Sequence, residues 1–431
     1  MEPRFTAEFR RRTILKVSWR LLPLIVAAYL VAYIDRTNIA FAALTMNKDL
    51  ALSAYIYGWG AGIFFLGYAL FEVPSNVVLA RVGARRWIAR IMITWGIVSG
   101  LMAATTGPAS FLTLRFLLGV AEAGFFPGII FYLSNWFPAT YRGRVISALF
   151  LAQPVSNALA SIASGAILEM DGILGLKGWQ WVFILESIPA VVLAFVVLRQ
   201  MTDRPEQAKW LDVDERTWLE AELEAERKEV ESRGTLNLWQ ALTDRRVMIL
   251  SLIYLGMMTA TYGITFFLPQ IIKGFGLSNL ITGFVSAVPY TIGAFGLLAW
   301  GFSSDRRKER HGHLMVAMIV AAVGLAGAGI FGISWWALAA MALTTVGLYG
   351  SRPAFWPMPS IFLTGTAAAA GIALINSIGA LGGYIGPFVV GWIKDSTSSF
   401  ENGLYFLAAC ALASAAITKF ATQPARKGLR P

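Results

Sequence analysis

Two pairs of charged residues stand inside apolar stretches. Asp35 and Arg36 are adjacent in YLVAYIDRTNIAF, residues 29–41, and Arg115 and Glu122 lie seven apart in RFLLGVAEAGFFPG, residues 115–128. A charge at the centre of a bilayer costs at least ~2.5–3.5 kcal/mol on insertion scales, so such residues mark substrate and ion pathways more often than they decorate a helix. The chemistry open to them is limited. A carboxyl drawn out of water has an accessible neutral form, so Asp35 can take up and release a proton. A guanidinium stays charged and presents a planar fork, so Arg36 can hold an anionic group. Neighbouring helical residues point ~100° apart, which prevents Asp35 and Arg36 from simply pairing with each other. A structural ion pair with another helix is the plainer alternative. Arg115 and Glu122 share a helix face, ~10.5 Å apart along the axis, with Glu122 near mid-membrane. His311 and His313 fall in a loop, so carboxylates would have to carry any mid-membrane proton.

The elements that position these groups follow from the composition. The 431 residues are 57% hydrophobic and 14% charged, with a mean hydropathy of +0.61; a soluble domain carries about 25% charged residues. The apolar residues fall in about twelve blocks of helix-spanning length, beginning with 21–43 and including 109–132 and 335–356. Only helices or closed barrels satisfy their backbone in lipid. The expected class is an all-α integral membrane protein of about twelve spans. The first block has no small-residue cleavage site after it, so it reads as a span and not as a signal peptide. One cysteine, Cys410, excludes an internal disulfide.

The formal charge of +11 has a topogenic explanation. Of the 36 Lys and Arg residues, 29 fall on one set of loops and tails, and only Lys48, Lys177, Lys273 and Lys394 on the other. The positive-inside rule then puts both termini in the cytoplasm. Nucleic acid is not an expected partner; the lipid bilayer is. Residues 202–246 form the one long polar segment, with a helical pattern of Glu/Lys/Arg pairs in WLDVDERTWLEAELEAERKEVES. The expected organisation is therefore a bundle over 1–201, a cytoplasmic linker with an amphipathic helix over 202–246, lying between two halves, and a second bundle over 247–431.

The bundles repeat at an offset of 225 residues: Lys48 and Lys273, Ser53 and Ser278, Gly58 and Gly283, Arg81 and Arg306, Arg85 and Arg310. Parallel repeats of this kind are a transporter architecture with the substrate site between the halves. The basic loops NVVLARVGARR and GFSSDRRKER resemble the two copies of the major facilitator superfamily loop signature. IDRTNIAFA, RFLLGVAEAGFFPG, NWFPATYRGR, GWQWVFILESIPA and FWPMPSIFLTGTAAAAGIALINSIGALGGYIGP together resemble its anion:cation symporter branch. The resemblance covers nearly the whole chain. It implies the major facilitator fold with two pseudo-symmetric six-helix bundles. It also implies proton coupling at Asp35 and Glu122, a substrate ligand in Arg36, and an arginine, Arg115, that interacts with the acids. Tyr68, Gln153, Asn376 and Trp356 match positions lining the substrate cavity. Arg81, Arg85, Asp305 and Arg306 belong to the gating loops. In the first copy Ala80 stands where the signature has an acid, while Asp305 keeps it in the second.

Other polar residues at depth divide by their surroundings. Asn157 reads as interhelical glue. Arg352 precedes Pro353, which should break or kink its helix. It faces either the cavity, opposite Arg36, or the cytoplasm by snorkelling. Glu72 is expected to pair with loop arginines, and Glu186 has no assigned role. These observations lead to an expected symporter, not an enzyme, that brings a small organic anion into the cytoplasm by alternating access. The proton gradient serves as its energy source, with no cofactor and no metal. The expected setting is a multi-pass place in the bacterial plasma membrane, working as a monomer. The stretch 355–387 resembles tartrate and hydroxyphenylacetate carriers, so a tartrate-like hydroxy-dicarboxylate is the narrow expectation and an aromatic acid of the phthalate or hydroxyphenylacetate type the alternative. A drug/proton antiporter is disfavoured, since its GPxxG motif is replaced by LFLAQPVSNALASIASG. An intramembrane enzyme would need His or Cys at depth.

Overall fold

Lipid offers no hydrogen bonds to a backbone, and this chain answers with helices. The computed structural model describes residues 5–232, 243–359 and 365–421. Their helices run Ala7–Asp49 (α1), Ala54–Val82 (α2), Ala84–Leu101 (α3), Pro108–Glu122 (α4), Phe125–Ser134 (α5), Ala139–Ile167 (α6) and Gly178–Gln200 (α7) before the linker. Val213–Ser232 (α8) lies in the linker. Arg245–Lys273 (α9), Asn279–Arg307 (α10), His311–Phe331 (α11), Trp335–Phe355 (α12), Gly365–Thr397 (α13) and Glu401–Ala421 (α14) follow it. Eleven spans among the described residues are long and apolar enough to cross a membrane, α4 and α5 together making one of them. Helix α12 is the tenth apolar block of the sequence and the one that is not among those eleven. It has 21 residues and packs against α10 and α11, but Thr344, Thr345, Ser351 and Arg352 keep it less apolar than the rest.

Two helices depart from the sequence pattern. The first apolar block, 21–43, is the middle of a 43-residue helix. Thr6 caps its start by accepting from the Phe9 N–H at 3.2 Å, and the basic first turns simply extend beyond the lipid. The block 109–132 is broken directly after Glu122. Ala123 is extended and Gly124 is left-handed at φ +86°, a conformation that glycine adopts without the Cβ clash of other residues. Pro353, where a break or kink is expected, lies inside α12, which ends two residues later at Phe355.

Helices α1–α7 pack as one group, α1 on α6 and α7, α3 on α4 and α7, and α2 on α4. Helices α9–α14 form the other, with α9 on α13 and α14 and α12 between α10 and α11. The groups meet along α2/α13, α6/α10 and α1/α9. Helix α8 docks on the first group and also contacts α13 of the second. Lys16 pairs with Glu215 at 2.6 Å, Arg142 with Glu226 at 3.0 Å, and Trp218 and Leu219 are buried. Residues 233–242 of the linker lie outside the described residues. The linker therefore marks one side of the bundle, and the loops after α1 and α9 mark the far side.

The break after Glu122 gives a direct prediction. Gly124→Ala should lower stability by ~1–2 kcal/mol, the cost of a left-handed L-residue, with further strain because its Cβ would stand 2.7 Å from that of Ser75. Gly143→Ala, in a regular turn of α6 with open space around it, should not destabilise. Thermal unfolding of both variants in detergent checks the pair.

Candidate functional site

A cavity of about 60 Å³ lies at the junction of the two groups. By the rule that ~10–15 Å³ of this kind of space holds one water, it has room for roughly four to six. Its wall takes Tyr29, Tyr33 and Arg36 from α1, Phe65 and Tyr68 from α2, Phe125 and Phe126 from α5, and Phe150 from α6. The other group contributes Tyr254, Met258 and Tyr262 from α9, Arg352 and Trp356 at the end of α12, and Asn376 from α13.

Arg36 organises the first wall. Its Nη2 is paired with the Glu122 carboxylate, and its Nη1 donates to the Tyr262 hydroxyl of the other group at 3.3 Å. The guanidinium also lies 5.0 Å from the Tyr33 ring and 5.3 Å from that of Phe64. Asp35 points elsewhere, as the helix geometry requires. It is 1% exposed and accepts from Trp95 Nε1 and Ser99 Oγ, both at 2.9 Å. Among the described residues no cation hydrogen-bonds it.

Several expected partners differ in the structure. Arg115 interacts with Glu122 through its charge but, among the described residues, makes no hydrogen bond to an acid. It donates to the Gly60 and Ala61 carbonyls of α2 at 3.0 and 3.3 Å and stacks 5.1 Å over Phe64. Glu122 has turned to Arg36 because the break that follows it ends α4 at the junction. Glu72 does not reach the loop arginines. Its Oε1 accepts from Asn376 Nδ2 at 2.8 Å across the junction, and its Oε2 is buried without a partner. Glu186 accepts from Ser164 Oγ at 2.6 Å. Asn157 acts as glue, donating to Tyr349 of the other group at 2.8 Å.

Tyr68, Trp356, Asn376, Arg36 and Arg352 are thus brought together on one cavity, with Trp356 stacked on Phe150 at 6.1 Å. Gln153 is not on its wall: it is 1% exposed inside α6, with Oε1 unpartnered. Arg352 faces the cavity and is 4% exposed, so it does not snorkel. Its Nε and Nη2 have no hydrogen-bond partner, and the Tyr349 ring lies 5.2 Å away. Among the described residues the gating-loop side chains form no salt bridge across the junction. Arg81 and Arg306 are exposed, and Asp305 pairs with Arg310 in its own loop at 2.5 Å. Where Ala80 replaces the signature acid, Asp203 of the linker accepts from the Arg85 N–H at 2.8 Å and closes the start of α3.

Of the five cavity tyrosines only Tyr68 was named from the sequence. Tyr29, Tyr33 and Arg36 fall at i, i+4 and i+7, and Tyr254, Met258 and Tyr262 at i, i+4 and i+8. That spacing places each set on one helix face, and it was a readable signal. Chemically, the wall offers two guanidiniums from opposite groups, one of them without a carboxylate, among hydroxyls and aromatic rings. No cluster of metal-ligating residues occurs among the described residues.

A family model, the Major Facilitator Superfamily, matches residues 25–387. The chain belongs to the major facilitator superfamily. It is a transporter and not an enzyme, a multi-pass protein of the bacterial plasma membrane with that family's all-α fold. It is 52% identical over 412 residues to an Agrobacterium vitis protein named "Putative tartrate transporter", covering 96% of this chain and 95% of the other. It is 44% identical over 401 residues to the "Quinolone resistance transporter" of Acinetobacter baumannii, covering 93% and 92%. Among solved structures, the xylose transporter XylE from E. coli superposes with a TM-score of 0.76 at 13% identity, over 94% of this chain and 99% of that one. That likeness is one of fold.

The Arg36–Glu122 pair is testable as a buried ion pair. Removing one partner of such a pair typically costs ~3–5 kcal/mol, because the other is left charged and alone, whereas replacing both with apolar residues costs far less. In this facilitator Glu122→Leu should destabilise strongly, and Arg36→Met with Glu122→Leu together should lose less than the two single variants Arg36→Met and Glu122→Leu combined. A double-mutant cycle on thermal unfolding reads the difference.

Proposed function

We propose that this chain is a proton-coupled symporter of small organic anions, with a tartrate-like hydroxy-dicarboxylate as substrate, moving it into the cytoplasm by alternating access. The observation that carries the reading is the pair of buried arginines facing one cavity from opposite halves. Arg352 has unused donors there, and Arg36 is held by a carboxylate that an anion can displace once Glu122 is protonated. Each arginine suits one carboxylate of a dicarboxylate, and the tyrosine hydroxyls suit its hydroxyl groups. The A. vitis relative, similar over nearly its whole length, supports the same substrate class.

The cycle follows from competition for Arg36. With Glu122 neutral, Arg36 is free to bind anion, and the loaded halves rock about the cavity. On the linker side, taken as cytoplasmic from the distribution of Lys and Arg, loss of the proton returns Glu122 to Arg36 and releases the substrate. Asp35, buried with neutral donors alone, is the second proton site. The A. baumannii relative favours a second reading, a proton-linked exporter of drug-like molecules, and the aromatic lining would also suit an aromatic acid.

The test is uptake of labelled tartrate into proteoliposomes under an inward proton gradient. Wild type should concentrate tartrate, and Asp35→Asn and Glu122→Gln should lose accumulation while keeping substrate exchange. Losing one charge-assisted contact of ~1.5–3 kcal/mol, Arg352→Gln should weaken the dicarboxylate at least about tenfold and a monocarboxylate analogue much less. If wild type moves no tartrate but exports a quinolone against the gradient, the antiporter reading replaces this one.

A further inference from the structure

Two members of the 225-residue repeat, Ser53/Ser278 and Gly58/Gly283, take no part in the cavity. They come together on the far side of the junction. Ser53 and Ser278 are the N-caps of α2 and α10, each hydroxyl accepting at 3.2 Å from the third helical N–H, of Ile56 and Ile281. The first turn of a helix has further N–H groups that no intrahelical carbonyl can reach. In both helices these are taken up by the opposite half. Asp395, near the end of α13, accepts from the Ala54 N–H at 3.0 Å and the Tyr55 N–H at 2.8 Å. Glu169, just beyond α6, accepts from the Leu280 N–H at 3.1 Å. Each half thus completes the first turn of a helix in the other.

The glycines explain how the acids come within reach. Five residues after each capping serine, a glycine lets the backbones approach closely. A Cβ on Gly58 would stand 3.3 Å from the Gly391 Cα of α13, and one on Gly283 would stand 3.0 Å from the Gly165 Cα of α6. No side chain fits between the helices at either place.

We propose that Asp395 and Glu169 form a two-point latch that holds the far-side gate closed, and that the repeated Ser–x4–Gly pattern is its receiving surface. A carboxylate at a helix N-terminus is favoured by the helix dipole as well as by its hydrogen bonds. Rocking the far side open breaks three hydrogen bonds and both charge–helix contacts in one movement. The latch therefore biases the transporter toward the far-side-closed state. The proposal rests on the rocking-halves reading and is independent of the substrate.

Hydrogen–deuterium exchange on the purified chain, without anion and without a proton gradient, tests it. Asp395 and Glu169 are exposed and remote from the cavity, so Asp395→Ala and Glu169→Ala should fold normally. One helix cap is worth about fivefold in an equilibrium. Each variant should raise exchange about fivefold at residues 54–62, 161–169, 279–287 and 384–395 together, with greater protection on the linker side. The double variant should reach roughly 25-fold, as separated sites add. Loosening of the α6/α10 contact by Asp395→Ala, which does not touch it, is the decisive outcome. Asp395→Asn keeps an acceptor oxygen and should recover part of the protection. Ser53→Ala removes a cap that does not cross the junction and should raise exchange only in the first turn of α2. Acid variants that behave like Ser53→Ala, with fraying confined to one helix start, would overturn the latch. Failure of tartrate uptake would leave these exchange results intact.

Discussion

The arrangement around the cavity depends on one buried ion pair, Arg36 with Glu122. In a low-dielectric interior neither charge is tolerable alone, so the fold must bring α1 and α4 together at that depth. The break at Ala123–Gly124 ends α4 at Glu122 and redirects the chain. It also turns Phe125 and Phe126 toward the cavity. Phe64 lies between the two arginines, 5.3 Å from Arg36 and 5.1 Å from Arg115, so one ring spaces two like charges. Asp35, left without a cation, receives an indole and a hydroxyl donor instead. Every charged group in this wall has an identifiable means of being tolerated.

Across the junction the contacts are of another kind. Tyr262 to Arg36, Asn376 to Glu72, Asn157 to Tyr349 and Tyr57 to the Phe266 carbonyl are single hydrogen bonds between halves. Interhelical hydrogen bonds in membrane proteins average about 0.6 kcal/mol each. Such a set aligns the halves without locking them. Around the cavity the strong electrostatic interaction is kept within one half, where rocking does not break it, and the contacts between halves there are weak ones.

Much of this was legible in the sequence, for a physical reason. Lipid restricts the backbone to helices, so apolar blocks translate directly into spans, and a charge inside a block announces itself by its cost. Asp35, Arg36, Glu122 and Arg352 were found that way. Their partners were not legible, because a helix face does not say which neighbouring helix it meets. Glu122 was read beside Arg115 on its own helix, yet its partner comes from α1. Glu72 was assigned to nearby loop arginines, yet it reaches Asn376, 304 residues away. Ala80 looked like a lost acid, and no motif pointed to Asp203 of the linker, which accepts from the Arg85 N–H at the start of α3. The Pro at 353 suggested a break and lies inside α12, two residues before its end, while the break that matters follows from Gly124 in the left-handed region. The repeat was visible as five matches, but its Ser and Gly members acquire meaning only when α13 and α6 are laid against them.

Charge balance ties the proposed substrate to the proposed proton. Arg36 and Arg352 carry two positive charges to the cavity, and Glu122, when ionised, cancels one. A monoanion would then neutralise the site with no proton taken up. A dianion would leave it with one negative charge too many, at a depth where an unbalanced charge is expensive, unless Glu122 is protonated. Protonation also removes the carboxylate that competes for Arg36. On the symport reading, a second carboxylate on the substrate and a proton on Glu122 require each other. Arg352, with its open donors, links the two: without its charge the same arithmetic would favour a monoanion, and the proton would no longer be bound to the substrate's second charge.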